Sequence, residues 1–250
     1  MPFGIVVIGS ELLSGKRRDG HLAFTIEALA RRGLELDWCH YLGDDPRRLI
    51  EELARARAGG DVVFSFGGIG ATPDDHTRAA AAAATGVALA PHPEAVAIIE
   101  GRFGAGAYPH RIHMAHLPVG ATLIPNPVNQ IPGFSLGHLH FVPGFPQMAH
   151  PMVEWVLDTG YRDRFDTDGP VETLLRLPGT SEGQLIDIME RLLAEHATIR
   201  LSCLPHMDGD YRETELGLRG RRGDVEPAVA WLEAALDAAG LDWHRARTDG

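Results

Sequence analysis

Up to Phe66 the chain alternates between two rhythms. Phe3–Ile8, Leu34–Tyr41 and Asp61–Phe66 are largely apolar runs of strand length, whereas Asp19–Arg32 and Pro46–Ala58 carry apolar residues at three- and four-residue spacing. Strand, helix, strand, helix, strand in that order predicts a parallel sheet with crossover helices. The first and third runs are nearly unbroken, as expected of strands covered on both faces.

The rhythm breaks where the third strand empties into Gly67-Gly68-Ile69-Gly70-Ala71-Thr72-Pro73-Asp74-Asp75-His76-Thr77. Three glycines in four positions let the chain turn tightly and bring bare amides close to a ligand. The alanine-rich stretch that follows predicts a helix over Asp74–Thr85, with Asp74, Asp75 and Thr77 in its first turn. Unpaired N–H groups and the positive end of the helix dipole would then face the loop, which is an anion site. Carboxylates at the same place can hold a divalent cation against a phosphate. A structural turn accounts for the glycines but does not require the paired carboxylates. The loop lacks the Gly-Lys-Ser/Thr ending of a P-loop and does not fit the Gly-x-Gly-x-x-Gly of a Rossmann turn.

Further along, Pro93–Arg102 reads as a helix, Arg111–His116 as a helical segment ending before Pro118, and Ala121–Ile124 and His138–Val142 as strands. The last runs into Pro143-Gly144-Phe145-Pro146, a rigid turn able to present backbone amides. A helix over Gln147–Leu157 follows, and the polar, aperiodic stretch Asp158–Pro170 reads as a linker. Beyond it, strand Val171–Leu177, helix Ser181–Glu195, strands Thr198–Leu204 and Thr214–Arg219, and helix Asp224–Ala239 form a small α+β unit with no catalytic grouping. The expected division is a ligand-binding domain over 1–160 and an α+β domain over 170–250. Ligands of parallel sheets sit at the carboxyl ends of strands. Three unusual loops fall on that edge: Gly9-Ser10-Glu11-Leu12-Leu13, Gly43-Asp44-Asp45 and the glycine loop.

Charge narrows the partners. The chain has a formal net charge of −11 and no basic cluster larger than Lys16-Arg17-Arg18 or Arg219 with Arg221-Arg222, which argues against nucleic acid. Arg17, Arg18 and Arg78 lie near the candidate loops, where a phosphate contact competes with plain solvation. Cys39 and Cys203 have no metal spacing and read as reduced thiols. No apolar run reaches 18 residues, and the N-terminus enters a strand directly, so a leaderless, cytoplasmic protein without a membrane segment is expected. His110, His113 and His116 recur every third residue, but an α-helix would rotate the third ring away from the first. His138 and His140 would share a strand face, with solvent exposure favoured over metal binding. No nucleophile elbow is visible.

The pattern Gly67-Gly68-Ile69-Gly70, four residues, Asp75, one residue, Thr77 resembles the signature of the molybdopterin-binding domain family. With Thr72 and Asp74 it is similar to the branch formed by competence/damage-inducible protein A and the related domain of eukaryotic FAD synthases. Ile8-Gly9-Ser10-Glu11-Leu12-Leu13-Ser14-Gly15, Gly43-Asp44-Asp45, and Asn126-Pro127 through Pro132-Gly133-Phe134 with Pro143-Gly144-Phe145-Pro146 resemble the other loops of that branch. The departures are Ser10 where an acid or amide is usual, His21 for an Asn, Ala71 for a proline, and Met148 for a Glu.

The resemblance implies an α/β three-layer sandwich with a mostly parallel sheet, in line with the alternating pattern. It implies a ligand bearing phosphate or pyrophosphate (molybdopterin, an adenylated pterin, ADP-ribose or FAD), held with Mg²⁺ over the strand ends, and a homo-oligomer. Carried onto this chain, substrate contacts fall on Gly9, Ser10, Glu11, Gly67, Gly68, Gly70, Thr72, Asp74, Thr77, Asn126, Pro143, Gly144 and Pro146. Metal falls on Asp75 and Asp44, and catalysis on Asp75 with Asp45. Helix capping is the competing role for Asp75, Asp44 and Asp45. Three functions stay open: Mg²⁺-dependent hydrolysis of a nucleotide pyrophosphate, non-catalytic binding of molybdopterin or a nucleotide, and adenylyl or molybdate transfer in cofactor synthesis. The long form of the branch carries an amidohydrolase domain acting on nicotinamide mononucleotide. That activity is expected to be absent here.

Overall fold

Strand residues of alternating parity bury on opposite faces of one sheet, and this fixes the layers of the first half of the molecule. The computed structural model describes residues 1–246 apart from Thr167 and Asp210. Within them the chain divides into two compact units, Met1–Phe165 and Asp166–Gly250.

The first unit runs β1 (Phe3–Ile8), α1 (Ser10–Leu13), α2 (His21–Ala30), β2 (Trp38–Leu42), α3 (Pro46–Gly59), β3 (Val62–Phe66), α4 (Thr77–Thr85), β4 (Leu89–Pro91), α5 (Pro93–Phe103), β5 (His116–Pro118), β6 (Thr122–Ile124), β7 (Gly133–Leu136), β8 (Leu139–Val142) and α6 (Pro146–Gly160). Six strands join in the order β2-β1-β3-β8-β7-β6. The first four are parallel, and β7 and β6 add antiparallel at one edge. Val6 and Ile8 of β1 and Val63 of β3 pack with α3, α4 and α5, whereas Phe3, Ile5, Val7, Val62, Phe64 and Phe66 pack with α2 and α6. Period-two alternation thus builds two cores on one sheet, the three-layer arrangement.

Several elements differ from the sequence reading. β2 starts at Trp38 rather than Leu34, because Asp37 turns the chain by exchanging bonds with Phe3: the Asp37 amide donates to the Phe3 carbonyl at 2.8 Å, and the Phe3 amide to Asp37 Oδ2 at 2.7 Å. α4 starts at Thr77 rather than Asp74. The Asp75 amide donates to the Thr72 carbonyl at 3.0 Å, closing a turn that ends before the helix begins. Arg111–Ala115 is a 3₁₀ segment, and His116 already belongs to β5, paired with β4. Gly133–Leu136 is a strand, not a closing loop. The stretch taken as a linker holds the end of α6 and a helical turn at Arg162–Arg164, whose Arg164 donates to the Met1 carbonyl at 2.5 Å.

The second unit comprises β9 (Val171–Pro178), α7 (Glu182–Glu195), β10 (Arg200–Asp208), β11 (Tyr211–Gly220), α8 (Arg222–Ala238) and β12 (His244–Arg245). Its antiparallel sheet, ordered β10-β11-β9-β12, packs Leu175, Leu177, Leu216 and Leu218 against Leu185, Leu192, Val229 and Leu232 of the two helices. A reciprocal capping box between Ser181 and Gln184 starts α7. No helix among the described residues is long and apolar enough to cross a membrane.

Candidate functional site

The chain crosses from β1 to β2 on one side and returns from β2 to β3 on the other side of β1, and this reversal opens a crevice beyond the carboxyl ends of β1 and β3. A cavity of about 600 Å³ occupies that place.

The glycine loop is shaped by its supports. Gly67 has φ +101°, and a Cβ there would stand 2.6 Å from the Ile8 carbonyl oxygen. Gly68 has φ +68°, and a Cβ would stand 2.2 Å from Thr77 Oγ1. Only glycine allows both the conformation and the approach. Thr77 is fully buried; its hydroxyl donates to the Gly67 carbonyl at 2.9 Å and its amide to the Gly68 carbonyl at 3.0 Å. Arg78, at 8% exposure, donates to the carbonyls of Gly70 at 2.7 Å and His116 at 3.2 Å, and also to that of His113. Burial lowers its pKa from the usual arginine value, with Asp75 acting the other way. Farther along, the Thr72 amide and hydroxyl donate to Asp75 Oδ2 at 2.7 and 2.6 Å. With the carbonyl side so tied, the amides of Gly68, Ile69, Gly70 and Ala71 have no acceptor among the described residues.

Gly9, Glu11, Asp44, Gly67, Gly68, Gly70, Thr72, Asp74, Asp75, Pro143, Gly144 and Pro146 line the cavity. Four residues assigned to the site from sequence do not. Ser10 is locked to Asp44, its amide donating to Asp44 Oδ2 at 2.9 Å and its hydroxyl accepting the Asp44 amide at 3.3 Å, which fastens the exit of β1 to that of β2. Asp45 caps α3 by accepting the amides of Arg47 at 2.9 Å and Arg48 at 3.4 Å, and it does not line the cavity. The bond from the Arg47 amide is the main cause holding its carboxyl below the usual range. Thr77 lies behind the loop. Asn126, 5% exposed, accepts the amides of Val128 and Asn129 at 3.0 and 3.5 Å and so shapes the turn that brings Asn129 to the cavity wall without lining it itself. Asp74 and Asp75 precede α4, so the helix-terminus geometry expected of them does not hold.

No three His, Cys, Asp or Glu side chains converge on one point among the described residues. Glu11 reaches the cavity from α1, Asp44 from the exit of β2 and Asp75 from the loop between β3 and α4. The recorded bonds to Asp44 and Asp75 use Oδ2 in each.

The structure gives several residues in and around the site places that the sequence pattern did not indicate. Arg78 is a buried tie, not a solvated side chain, and its alanine-rich context gave no hint of this. His21 is 3% exposed, stacks on Phe66 with centroids 4.2 Å apart, and donates from Nε2 to the Gly144 carbonyl at 3.3 Å, bracing the turn at 143–146. Burial lowers its pKa. Met148, where the resemblance called for Glu, accepts Asn129 Nδ2 at its sulfur, 3.0 Å away. In the histidine triplet, His113 near the end of the 3₁₀ segment and His116 at the start of β5 set their rings edge to face with centroids 5.2 Å apart. The second histidine pair is split: His138 is exposed, while His140 is 5% exposed, with Nε2 2.7 Å from Tyr161 Oη and Nδ1 2.8 Å from Ser135 Oγ. Burial pushes the His140 pKa down to about 3 and that of Tyr161 up to about 12.

Residues 4–161 match the family model described as "Probable molybdopterin binding domain". A CinA-like protein of Geotalea uraniireducens is 34% identical over 259 aligned positions, covering 100% of this chain and 59% of the relative. One from Citrifermentans bemidjiense is 30% identical, covering 95% of this chain and again 59% of the relative. The chain therefore spans somewhat over half the length of these curated relatives. The crystal structure of the protein CinA from Thermoplasma acidophilum is 26% identical and aligns with a TM-score of 0.58, covering 63% of this chain and 98% of that one.

Proposed function

Because the chain belongs to the molybdopterin-binding domain family, we propose that its cleft binds a phosphate-bearing pterin or nucleotide, with the phosphate seated on the amides of Gly68 through Ala71. The observation that carries this reading is those four successive unpaired amides on the cavity wall. On this half-exposed loop they are open to water, and a phosphate oxygen, charged and a stronger acceptor, can take its place. Arg17 and Arg18 on the same wall supply positive charge that a net-negative chain otherwise lacks there.

A second reading, hydrolysis of a nucleotide pyrophosphate such as ADP-ribose or FAD, is favoured by the carboxylates of Glu11, Asp44 and Asp75 on that wall. The donor set suits Mg²⁺, which takes one or two carboxylates and fills its remaining positions with phosphate oxygens and water. When bound, the ion would neutralise charge on the phosphoryl oxygens. Asp44 and Asp75 would hold it, since each has an oxygen beyond the one engaged by its loop. Met148 places a thioether where a Glu would have added a further charge.

Titration calorimetry with ADP-ribose, FAD and a pterin monophosphate tests binding, and release of AMP from the first two with and without Mg²⁺ tests turnover. Asp75→Asn is the informative variant because it keeps an acceptor for Thr72. Binding in the wild type and Mg²⁺-dependent AMP release lost in Asp75→Asn is the expected result. Binding without AMP release leaves a binding protein, in which Met148→Glu is the first variant to examine for gained turnover. No binding of any of the three contradicts the reading.

A further inference from the structure

The cleft carries one aromatic ring that the fold itself does not use. Phe145 lines the cavity, is 52% exposed, and belongs to none of the three apolar cores. The other large apolar side chains on the wall near the glycine loop, Ile69, Phe103, Met114 and Ile131, all pack on the first core. A single exposed apolar residue on a surface is ordinary. Phe145 differs in how firmly it is presented. Its carbonyl accepts the amides of Met148 and Ala149 at 2.9 Å each, at the start of α6, and Pro146 follows it. One residue earlier, Gly144 lies against the phosphate loop, where a Cβ would stand 3.3 Å from Gly67 Cα. Consecutive Cα atoms are about 3.8 Å apart, so the ring is anchored one step from the loop.

Its partner is loosely held. The guanidinium carbon of Arg17 stands 5.9 Å from the Phe145 centroid, at the outer limit of about 6 Å for a cation–π contact. The Arg17 side chain makes no hydrogen bond or ion pair among the described residues. An exposed ring on a firmly held backbone, beside a guanidinium with no hydrogen-bond or ion-pair partner among the described residues and next to a phosphate loop, suits a flat heterocycle carrying a phosphate.

Resting on the phosphate reading above, we infer that Phe145 is the platform on which the heteroaromatic part of the ligand stacks, Arg17 lifting to admit it and then lying on its outer face. The site then selects heteroaromatic phosphates, pterin or nucleotide, over phosphates that lack a ring system. The sequence holds no spacing rule for such a contact; the exposure of one ring in a rigid turn supplies it.

The test measures dissociation constants for two probe sets. ADP-ribose, FAD and a pterin monophosphate carry a heterocycle; inorganic pyrophosphate and ribose 5-phosphate do not. Phe145→Ala is expected to weaken at least one of the first set by roughly 5- to 100-fold and leave the second unchanged. Phe145→Trp is expected to keep the wild-type preference and to show more fluorescence quenching on binding than the four tryptophans of the wild type give. Arg17→Ala is expected to lose part of the same preference. Equal weakening of both sets in Phe145→Ala, which a merely structural role in the turn would give, overturns the inference, and so does no effect on either. Tight pyrophosphate binding with no gain from any heterocycle in the wild type overturns the platform alone. A wild type that binds none of the five probes overturns the phosphate reading and this inference with it.

Discussion

His140 sits between Ser135 and Tyr161 with 5% of its surface exposed, and burial holds its pKa near 3. An unfolded histidine titrates near about 6.5. The folded state therefore favours the neutral ring: its contribution is fully present above about pH 6.5 and is lost as pH falls from there toward the folded value. The slope approaches about 1.4 kcal/mol per pH unit for one such group. His21 and His150 are shifted the same way, burial being the main cause in each, and add to it. Urea unfolding at pH 7, 6 and 5 should show the midpoint falling, with a shallower fall in His140→Asn; equal slopes in both proteins would refute the assignment. The sequence put His138 and His140 on one strand face, but not the burial of His140. That burial depends on Tyr161, at the far end of a helix 21 residues later.

The loop from β3 to α4 shows what a local pattern does and does not contain. Its glycines, Thr72, Asp75 and Thr77 were recognisable as a unit, and the structure brings them together. The start of α4 was misplaced because Asp75 turns back to Thr72 instead of leading the helix, a choice between two local hydrogen-bonding roles open to any Asp at such a position. The short strands β4, β5 and β7 were missed for a related reason: three or four residues carry no measurable period, and pairing partners distant in sequence decide them. The support of Gly68 by Thr77 is testable as a coupling. Gly68→Ala would drive a Cβ into Thr77 Oγ1 and hold a side chain at φ +68°, costing about 2–4 kcal/mol. Thr77→Ala alone removes the bond to the Gly67 carbonyl and costs about 1–2 kcal/mol. In the double variant the clash has no hydroxyl to meet, so chemical denaturation should show a total smaller than the sum by about 1 kcal/mol or more. Strict additivity would mean that the loop relaxes around the methyl by another route.

At the scale of the molecule, each unit carries its own core: two faces of the six-stranded sheet in Met1–Phe165, and the β9, β11, α7 and α8 cluster in Asp166–Gly250. Every residue lining the cavity falls between Val7 and Met148. The supports of the glycine loop, Thr77, Arg78, His113 and His116, lie in the same unit. A fragment ending at Phe165 therefore retains all side chains that shape the site, together with the apolar faces that hold the sheet. It should fold on its own and bind the heteroaromatic phosphates with dissociation constants within about two-fold of the full chain, the tolerance expected of independent parts. Circular dichroism establishes folding, and calorimetry of fragment and full chain side by side establishes affinity. A folded fragment that binds about 10-fold more weakly, or only in the presence of the separate second unit, would give residues 166–250 a part in ligand binding. The cavity lining would then describe only one wall of the site.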